Sequence, residues 1–234
     1  MSGGAGLRTG LIVALDTPDR QQAAAWAAAV APYCGMVKLG LEYFLAAGAP
    51  GVRELGVPVF LDLKLHDIPN TVAGAVRAVL PLAPRMLTVH AAGGAAMVEA
   101  ARRASESAAA ARPLLLGVTV LTSMDANGLR ATGVTGDPQE QVLRLAGLAL
   151  DAGADGLVCS AHEVAMLRDA FGEDPVLVVP GVRPHGAPSG DQVRTMTPRD
   201  AAARGADWLV VGRPITGSPD PGAAAAAIMA EIVS

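Results

Sequence analysis

Eight short apolar runs alternate along the chain with longer, alanine-rich segments that have helical periodicity. Short apolar runs bounded by polar residues, glycine or proline are typical of buried strands, and the longer segments are typical of helices. The predicted strands cover residues 11–16, 36–40, 58–63, 86–90, 114–119, 156–160, 176–180 and 208–212. The predicted helices cover residues 20–30, 72–80, 95–105, 139–152, 161–171 and 198–204. Eight alternating units favour a (β/α)8 TIM barrel, although a doubly wound open sheet fits the same alternation.

The composition supports this α/β architecture. Of the 234 residues, 51% are hydrophobic but only 3% are aromatic, so Ala, Val and Leu must fill the core. Such side chains suit parallel strands that are covered by helices. The length is that of one large domain, and the Gly- and Pro-rich stretch 183–191 is interpreted as a long loop after the seventh strand. Residues 1–234 are therefore expected to form a single barrel domain.

Several kinds of partner are not expected. The net charge is −4 and no basic block is present, which argues against a nucleic-acid surface. The apolar stretches are too short to span a bilayer, and residues 1–10 lack the pattern of an export signal, so a cytoplasmic protein is expected. Cys34 and Cys159 lack metal-type spacing and are interpreted as reduced structural thiols. His66 and His90 have no metal-spaced acids beside them, so structural hydrogen bonds and no metal site are expected.

Polar side chains gather at or just after the predicted strand ends. In a barrel these positions face the carboxyl-terminal mouth, where active sites are built. The residues are Asp16, Lys38, Asp62, Lys64, Asp67, Thr122, Arg183 and Arg213.

The run from Asp62 to Asp67 is the most informative of these. Asp62 and Lys64 are two residues apart on a strand, so both side chains point to one face, and a buried lysine needs a carboxylate partner. Asp67 lies beyond the strand, just before Pro69, and either turns back toward Lys64 or projects toward another subunit. The alternative interpretation is an ordinary strand-end ion pair, with Asp67 capping the next helix.

Lys38 and Asp16 are each open to two interpretations. Lys38 lies within an apolar strand, where it is either a site residue or a lysine that extends from the strand end to solvent. Asp16 ends the first strand, where it is either a site residue or the N-cap of the helix after Pro18.

The carboxyl-terminal part has the features of a phosphate site. Barrels often bind phosphate with the loops after strands seven and eight and the start of a short helix. Gly212 lets the backbone approach a ligand, and Arg213 offers two parallel hydrogen bonds. Arg183 follows strand seven, and Gln192 lies in the loop beyond it, which is either a lid or simply flexible.

Taken together, these motifs resemble the orotidine 5′-phosphate decarboxylase family in its short bacterial form. The most specific part is Asp62-x-Lys64-x-x-Asp67-Ile68-Pro69-Asn70-Thr71. Weaker matches follow the family's order along most of the chain, namely Leu15-Asp16, Val37-Lys38-x-Gly40-x-Glu42, Thr88-Val89-His90-Ala91, Leu121-Thr122-Ser123, Pro180-Gly181-Val182-Arg183-Pro184, Gln192 and Val211-Gly212-Arg213-Pro214.

The resemblance implies an enzyme that needs no cofactor and converts orotidine monophosphate to uridine monophosphate and carbon dioxide. It implies that Lys64 donates the proton that replaces the carboxylate. It also implies an alternating charge array of Lys38, Asp62, Lys64 and Asp67, in which Asp67 comes from the partner subunit of a homodimer. The implied substrate-binding residues include Asp16 and Lys38 at the ribose hydroxyls and Thr122 near the base. The implied contacts with the phosphate and the lid are those of Arg183, Gln192, Gly212 and Arg213. The implied set also includes Asp62, Ile68 and Thr71.

Two rival functions remain. A sugar-phosphate decarboxylase or aldolase of the same barrel superfamily has a similar Asp-x-Lys-x-x-Asp run but uses magnesium, which needs additional oxygen ligands. Lys38 stands where such an enzyme would favour an acid, and the Ile68–Thr71 continuation also favours the nucleotide enzyme. The second rival is a catalytically silent barrel that binds nucleotides or acts as an assembly scaffold, against which the complete charge array argues.

Overall fold

Eight parallel strands close into a barrel in chain order, with β1 paired to β8. The structure is a computed structural model that describes residues 9–184 and 196–233. The strands are β1 Gly10–Ala14, β2 Met36–Leu39, β3 Val59–Leu65, β4 Met86–His90, β5 Leu114–Val118, β6 Gly156–Val158, β7 Val176–Pro180 and β8 Trp208–Val211. The predicted barrel is confirmed, and the open-sheet alternative is excluded by the β1–β8 pairing.

Helices follow the strands and surround the barrel. They are α1 Arg20–Val30, α2 Leu41–Glu54, α3 Pro69–Val79, α4 Ala95–Ser105, α5 Ala126–Ala131, α6 Pro138–Asp151, α7 Val164–Phe171, α8 Pro198–Ala203, α9 Arg213–Thr216 and α10 Pro221–Val233. The six predicted helices are present, and so is the short helix expected after Gly212. Helices α2, α5 and α10 were not predicted. In α2, Pro50 and Gly48, with a φ of +59°, interrupt the helical pattern.

The core has two parts, one inside the barrel and one between the barrel and the helices. Eight buried side chains fill the barrel interior, namely Ile12, Ala14, Met36, Phe60, Met86, Leu116, Val178 and Val210. The alternate strand residues, such as Leu11 and Val13, pack against the helices. Since both faces of each strand are buried, the strands are almost uniformly apolar, as expected for a parallel barrel.

Strand β3 contains an irregularity at the mouth of the barrel. Its pairing with β4 runs from Leu61 opposite Leu87 to Leu65 opposite Val89, so residues 62–64 lie opposite Thr88 alone. Within this bulge Lys64 has a φ of +47°, a left-handed conformation that costs a side-chain-bearing residue about 1–3 kcal/mol. Bulges redirect side chains near active sites, and this one carries both Asp62 and Lys64.

The two cysteines are unpaired thiols, as predicted. Burial raises the pKa of both, that of Cys34 to about 11, so neither is a thiolate at neutral pH. No helix within residues 9–184 and 196–233 is both long and apolar enough to cross a membrane.

Candidate active site

A cavity of about 390 Å³ opens at the carboxyl-terminal mouth of the barrel. It is lined by eight of the predicted site residues, which come from six different strand ends: Asp16, Lys38, Asp62, Lys64, Thr122, Arg183, Gly212 and Arg213. The barrel therefore brings together side chains that are far apart in the sequence. Gln192, also predicted here, lies outside the described residues.

A row of alternating charges crosses one side of the cavity. The Lys64 Nζ lies 2.9 Å from both carboxylate oxygens of Asp62. The Lys38 Nζ lies 3.5 Å from Asp62 Oδ2 and 3.2 Å from Asp16 Oδ1. Lys38 is only 13% exposed, so it is held in the site and does not extend to solvent. The helix-cap interpretation of Asp16 is wrong, since Asp19 caps α1.

Asp62 is the centre of this row and its most buried acid. Burial alone would raise the pKa of Asp62, but the charges of Lys38 and Lys64 and the hydrogen bonds from Lys64 and Thr88 outweigh it. The pKa of Asp62 therefore lies below its ordinary value. The carboxylate is ionised at neutral pH and remains available to both ammonium groups.

Lys38 and Lys64 are the only lysines in the chain, and the other strongly basic side chains are arginines. A lysine ammonium can lose a proton under protein conditions, but an arginine guanidinium cannot. Both lysines of the chain thus lie in this cavity.

Two arginines mark another part of the cavity. Gly181 has a φ of +81°, which glycine adopts without strain, and it turns the chain after β7 toward Arg183. Arg183 is buried and donates to the Val182 carbonyl at 3.0 Å. Burial and the nearby charge of Arg213 lower the pKa of Arg183. Two guanidinium groups close enough to repel one another favour an anion between them, as the predicted phosphate site requires.

The rest of the cavity wall is apolar. Phe60, Val118, Val120, Val158 and Val210 form much of it. These side chains reduce screening by water, so the charges in the cavity act more strongly. The sequence analysis did not identify them, because apolar residues on the two faces of a barrel strand look alike in the sequence.

Three predicted site residues lie outside their own chain's cavity. Asp67 is exposed, and its Oδ1 accepts a hydrogen bond from the Ile68 backbone at 2.6 Å. Ile68 is 66% exposed, and Thr71 is exposed on the first turn of α3. The N-cap of α3 is Ile68, so Asp67 is not the helix cap of the alternative interpretation. Of the two orientations considered for Asp67, the structure has the outward one.

His66 and His90 form a stacked pair beside the mouth, with ring centroids 5.1 Å apart. The Nδ1 atom of His90 accepts a hydrogen bond from the Ala92 backbone at 3.3 Å, a structural role of the kind predicted. Within the part of the chain that the structure describes, no group of three or more His, Cys, Asp or Glu side chains is placed to hold a metal ion.

Comparison with known proteins shows relatives that match nearly the whole chain. Residues 9–228 match the orotidine 5′-phosphate decarboxylase / HUMPS family. The chain is 57% identical to an orotidine 5′-phosphate decarboxylase of Gluconobacter oxydans, over 97% of this chain and 98% of that protein. It is 54% identical to one of Rhodospirillum rubrum, over 95% and 94% of the two chains. The crystal structure of the Lactobacillus acidophilus enzyme superposes with a TM-score of 0.86 at 38% identity, over 97% of this chain and 100% of that chain.

Proposed function

Because the chain belongs to the orotidine 5′-phosphate decarboxylase / HUMPS family, we infer that it is a carboxy-lyase that converts orotidine 5′-phosphate to uridine 5′-phosphate and carbon dioxide in pyrimidine synthesis. We propose Lys64 as the proton donor. The observation that carries this role is the contact of the Lys64 ammonium with both oxygens of Asp62 inside a largely apolar cavity.

The chemistry requires a fixed positive charge. When the bond to the carboxylate breaks, carbon dioxide leaves and the electron pair stays on the ring carbon, in the ring plane, where the π-system cannot absorb it. A cation already held at that position stabilises the developing charge without reorganisation. The Lys64 ammonium then gives a proton to the ring carbon, a C–H bond forms, and the lysine is left neutral.

Asp62 and Lys38 hold Lys64 for this step. The Asp62 carboxylate is shared between the two ammonium groups, so its negative charge is balanced and its orientation is fixed from two sides. Asp62 therefore aligns Lys64, and Lys38 prevents the carboxylate from turning away. The apolar wall reduces the screening of these charges by water.

Substrate binding is assigned to the remaining cavity residues. Asp16 and Lys38 bind the ribose hydroxyls, and Thr122 lies near the base. The phosphate contacts come from Arg183, Gly212 and Arg213, together with Gln192, which belongs to the proposed set but lies outside the described residues. Binding energy at the phosphate, far from the reacting carbon, helps to orient the ring and lowers the barrier.

A homodimer completes the site in this proposal. Asp67, Ile68 and Thr71 face outward, where they are able to reach the cavity of a partner subunit. Ile68, next to Asp67, is a large aliphatic side chain that is 66% exposed. A contact with a second copy would remove this apolar surface from water.

The magnesium-dependent rival is disfavoured by Lys38. Its ammonium lies between the carboxylates of Asp16 and Asp62, so these acids are neutralised by a side chain and are not arranged to share a divalent ion. We therefore propose that the reaction needs no cofactor. A single barrel domain over residues 1–234 and a cytoplasmic location, which the two free thiols fit, are part of the proposal.

The function is tested by following the absorbance of orotidine monophosphate with and without exhaustive chelation. The proposal expects equal turnover in both conditions. A strict magnesium requirement would favour the sugar-phosphate enzyme, and binding without turnover would favour the silent barrel.

A further inference from the structure

We propose that Thr88 is a positioning residue for the decarboxylation, and that its one hydroxyl group holds both the backbone of Lys64 and the carboxylate of Asp62. The inference rests on the proposed function of these two residues. Thr88 lies on β4, is completely buried and does not line the cavity, so it acts through its neighbours and does not contact substrate.

The two hydrogen bonds of the Thr88 hydroxyl group each have a defined donor and acceptor. Thr88 Oγ1 lies 2.8 Å from the Lys64 backbone nitrogen and 3.1 Å from Asp62 Oδ1. An amide N–H only donates, so the threonine oxygen is the acceptor in the first bond. The hydroxyl proton is then directed to the carboxylate in the second bond. One buried group thus connects the main chain of the proposed proton donor to its carboxylate partner.

The bulge in β3 explains why a side chain is needed here. Residues 62–64 lie opposite Thr88 alone, so the regular ladder is interrupted at Lys64. The Lys64 N–H is bonded to the threonine hydroxyl, and Lys64 has a φ of +47°. A strained conformation persists only where its surroundings hold it in place. The Thr88 hydroxyl is such a restraint, and it acts on the residue whose ammonium must meet the ring carbon.

Loss of the hydroxyl should affect the chemical step more than substrate binding. The β4–β5 ladder uses the backbone of Thr88, and in the described structure its hydroxyl bonds only to Lys64 and Asp62, so phosphate capture is expected to continue. The ammonium of Lys64 and the carboxylate of Asp62 would be less well aligned, and small misplacements of reacting groups cause large losses of rate. The expected signature is a fall in kcat with little change in KM.

The test compares Thr88→Val, which removes the hydroxyl at nearly constant volume, with Thr88→Ser, which keeps it. Thr88→Val should lower kcat by about 30-fold or more, with KM and the inhibition constant of uridine monophosphate within about threefold. Thr88→Ser should stay within about threefold of the parent kcat. The matched control is Thr119→Val, because Thr119 is equally buried but its hydroxyl bonds only to the Val158 carbonyl in the described structure; its kcat should be unchanged.

A spectroscopic measurement tests the hydrogen bond itself. With two lysines in the chain, selective ¹⁵N-lysine labelling gives two backbone amide signals, those of Lys38 and Lys64. Thr88→Val should shift the Lys64 signal and accelerate its exchange with solvent, whereas Thr119→Val should move neither signal.

The possible outcomes separate this inference from the proposed function. A Thr88→Val enzyme with parent kcat, an unmoved Lys64 amide, or equal losses in the Val and Ser variants would overturn the role of the hydroxyl. If Thr88→Val does not fold, Thr88→Ser decides: a near-parent kcat supports the inference and a tenfold loss contradicts it. A parent protein that does not decarboxylate orotidine monophosphate would refute the proposed function instead, while the amide signals would still report on the bond.

Discussion

The Lys64 ammonium lies 2.9 Å from each oxygen of the Asp62 carboxylate, two residues earlier on the same strand. Regular alternation places side chains two residues apart on one face, and this contact is made within the bulge of β3. The contact fixes the end of a long, flexible side chain. This restraint supports the proposed role of Lys64 as the proton donor.

Replacement of Lys64 by alanine should abolish turnover. The variant loses both the cation at the reacting carbon and the transferable proton, so kcat should fall by a factor of about 10³ or more. Uridine monophosphate should still bind, because the arginine end of the cavity is unchanged. Steady-state kinetics and calorimetric titration with uridine monophosphate measure the two effects. A folded variant with a near-normal rate would remove Lys64 from this role.

Replacement of Arg213 by alanine should weaken substrate capture. A charge-assisted hydrogen bond contributes about 1.5–3 kcal/mol, so KM should rise roughly 10- to 100-fold. The matched control is Arg103→Ala, since Arg103 forms only an exposed pair with Glu99 on α4 in the described structure; its KM should be unchanged. If both variants keep the parent KM, Arg213 does not belong to the phosphate site.

Asp155 is expected to make stability depend on pH. It accepts from the Arg112 side chain at 2.7 and 2.8 Å and from the Leu115 backbone at 2.8 Å, joining β5 to the turn before β6. Burial alone would raise the pKa of Asp155, but these bonds and the charges of Arg112 and Arg102 hold it below its ordinary value. The stabilisation is therefore complete above about pH 4 and is lost as pH falls through the folded-state pKa.

Asp155→Asn should accordingly lower the free energy of unfolding by about 2 kcal/mol near pH 7. This corresponds to a fall in Tm of about 4–8 °C. The difference from the parent should shrink as the pH is lowered toward 3, as followed by thermal unfolding at each pH. The control is Asp169→Asn, which changes an exposed carboxylate on α7. Its free energy of unfolding should stay within about 0.5 kcal/mol of the parent value. If the loss of stability in Asp155→Asn does not change with pH, the charge of Asp155 is not the cause of that loss.

The fold could be predicted because the barrel imposes a local pattern. Each strand is apolar on both faces and each of the six predicted helices keeps its period, so both are visible in short windows of sequence. Helix α2 was missed where that local pattern fails, at Gly48 and Pro50. Strand ends were also predictable, and they contain the charged residues of the cavity.

The details of the site that were missed depend on contacts between distant residues. The role of Thr88 requires the register of β3 against β4, and nothing near Thr88 in the sequence indicates a bulge. The apolar wall of the cavity could not be predicted for the same reason. Phe60 and Leu61 are equally apolar in the sequence but face different parts of the core. Closure of the barrel decides which face becomes the cavity.

A mixture of two inactive variants should test whether subunits share the site. In the proposed homodimer, Lys64 acts within its own chain and Asp67 acts in the partner's cavity. Lys64→Ala and Asp67→Ala should each be inactive alone. In a dimer that contains one of each, both changes fall in the same site and the other site is intact. Co-expression should therefore restore about one quarter of the parent activity if subunits pair at random.

The control is co-expression of Lys64→Ala with Asp62→Ala. Both residues belong to the cavity of their own chain, so each site of the mixed dimer has one defect and no activity should return. Rescue in the first mixture but not in the second would place Asp67 across the subunit boundary. If neither mixture regains activity although mixed dimers form, Asp67 acts within its own chain, and the outward orientation seen here would have to change on substrate binding.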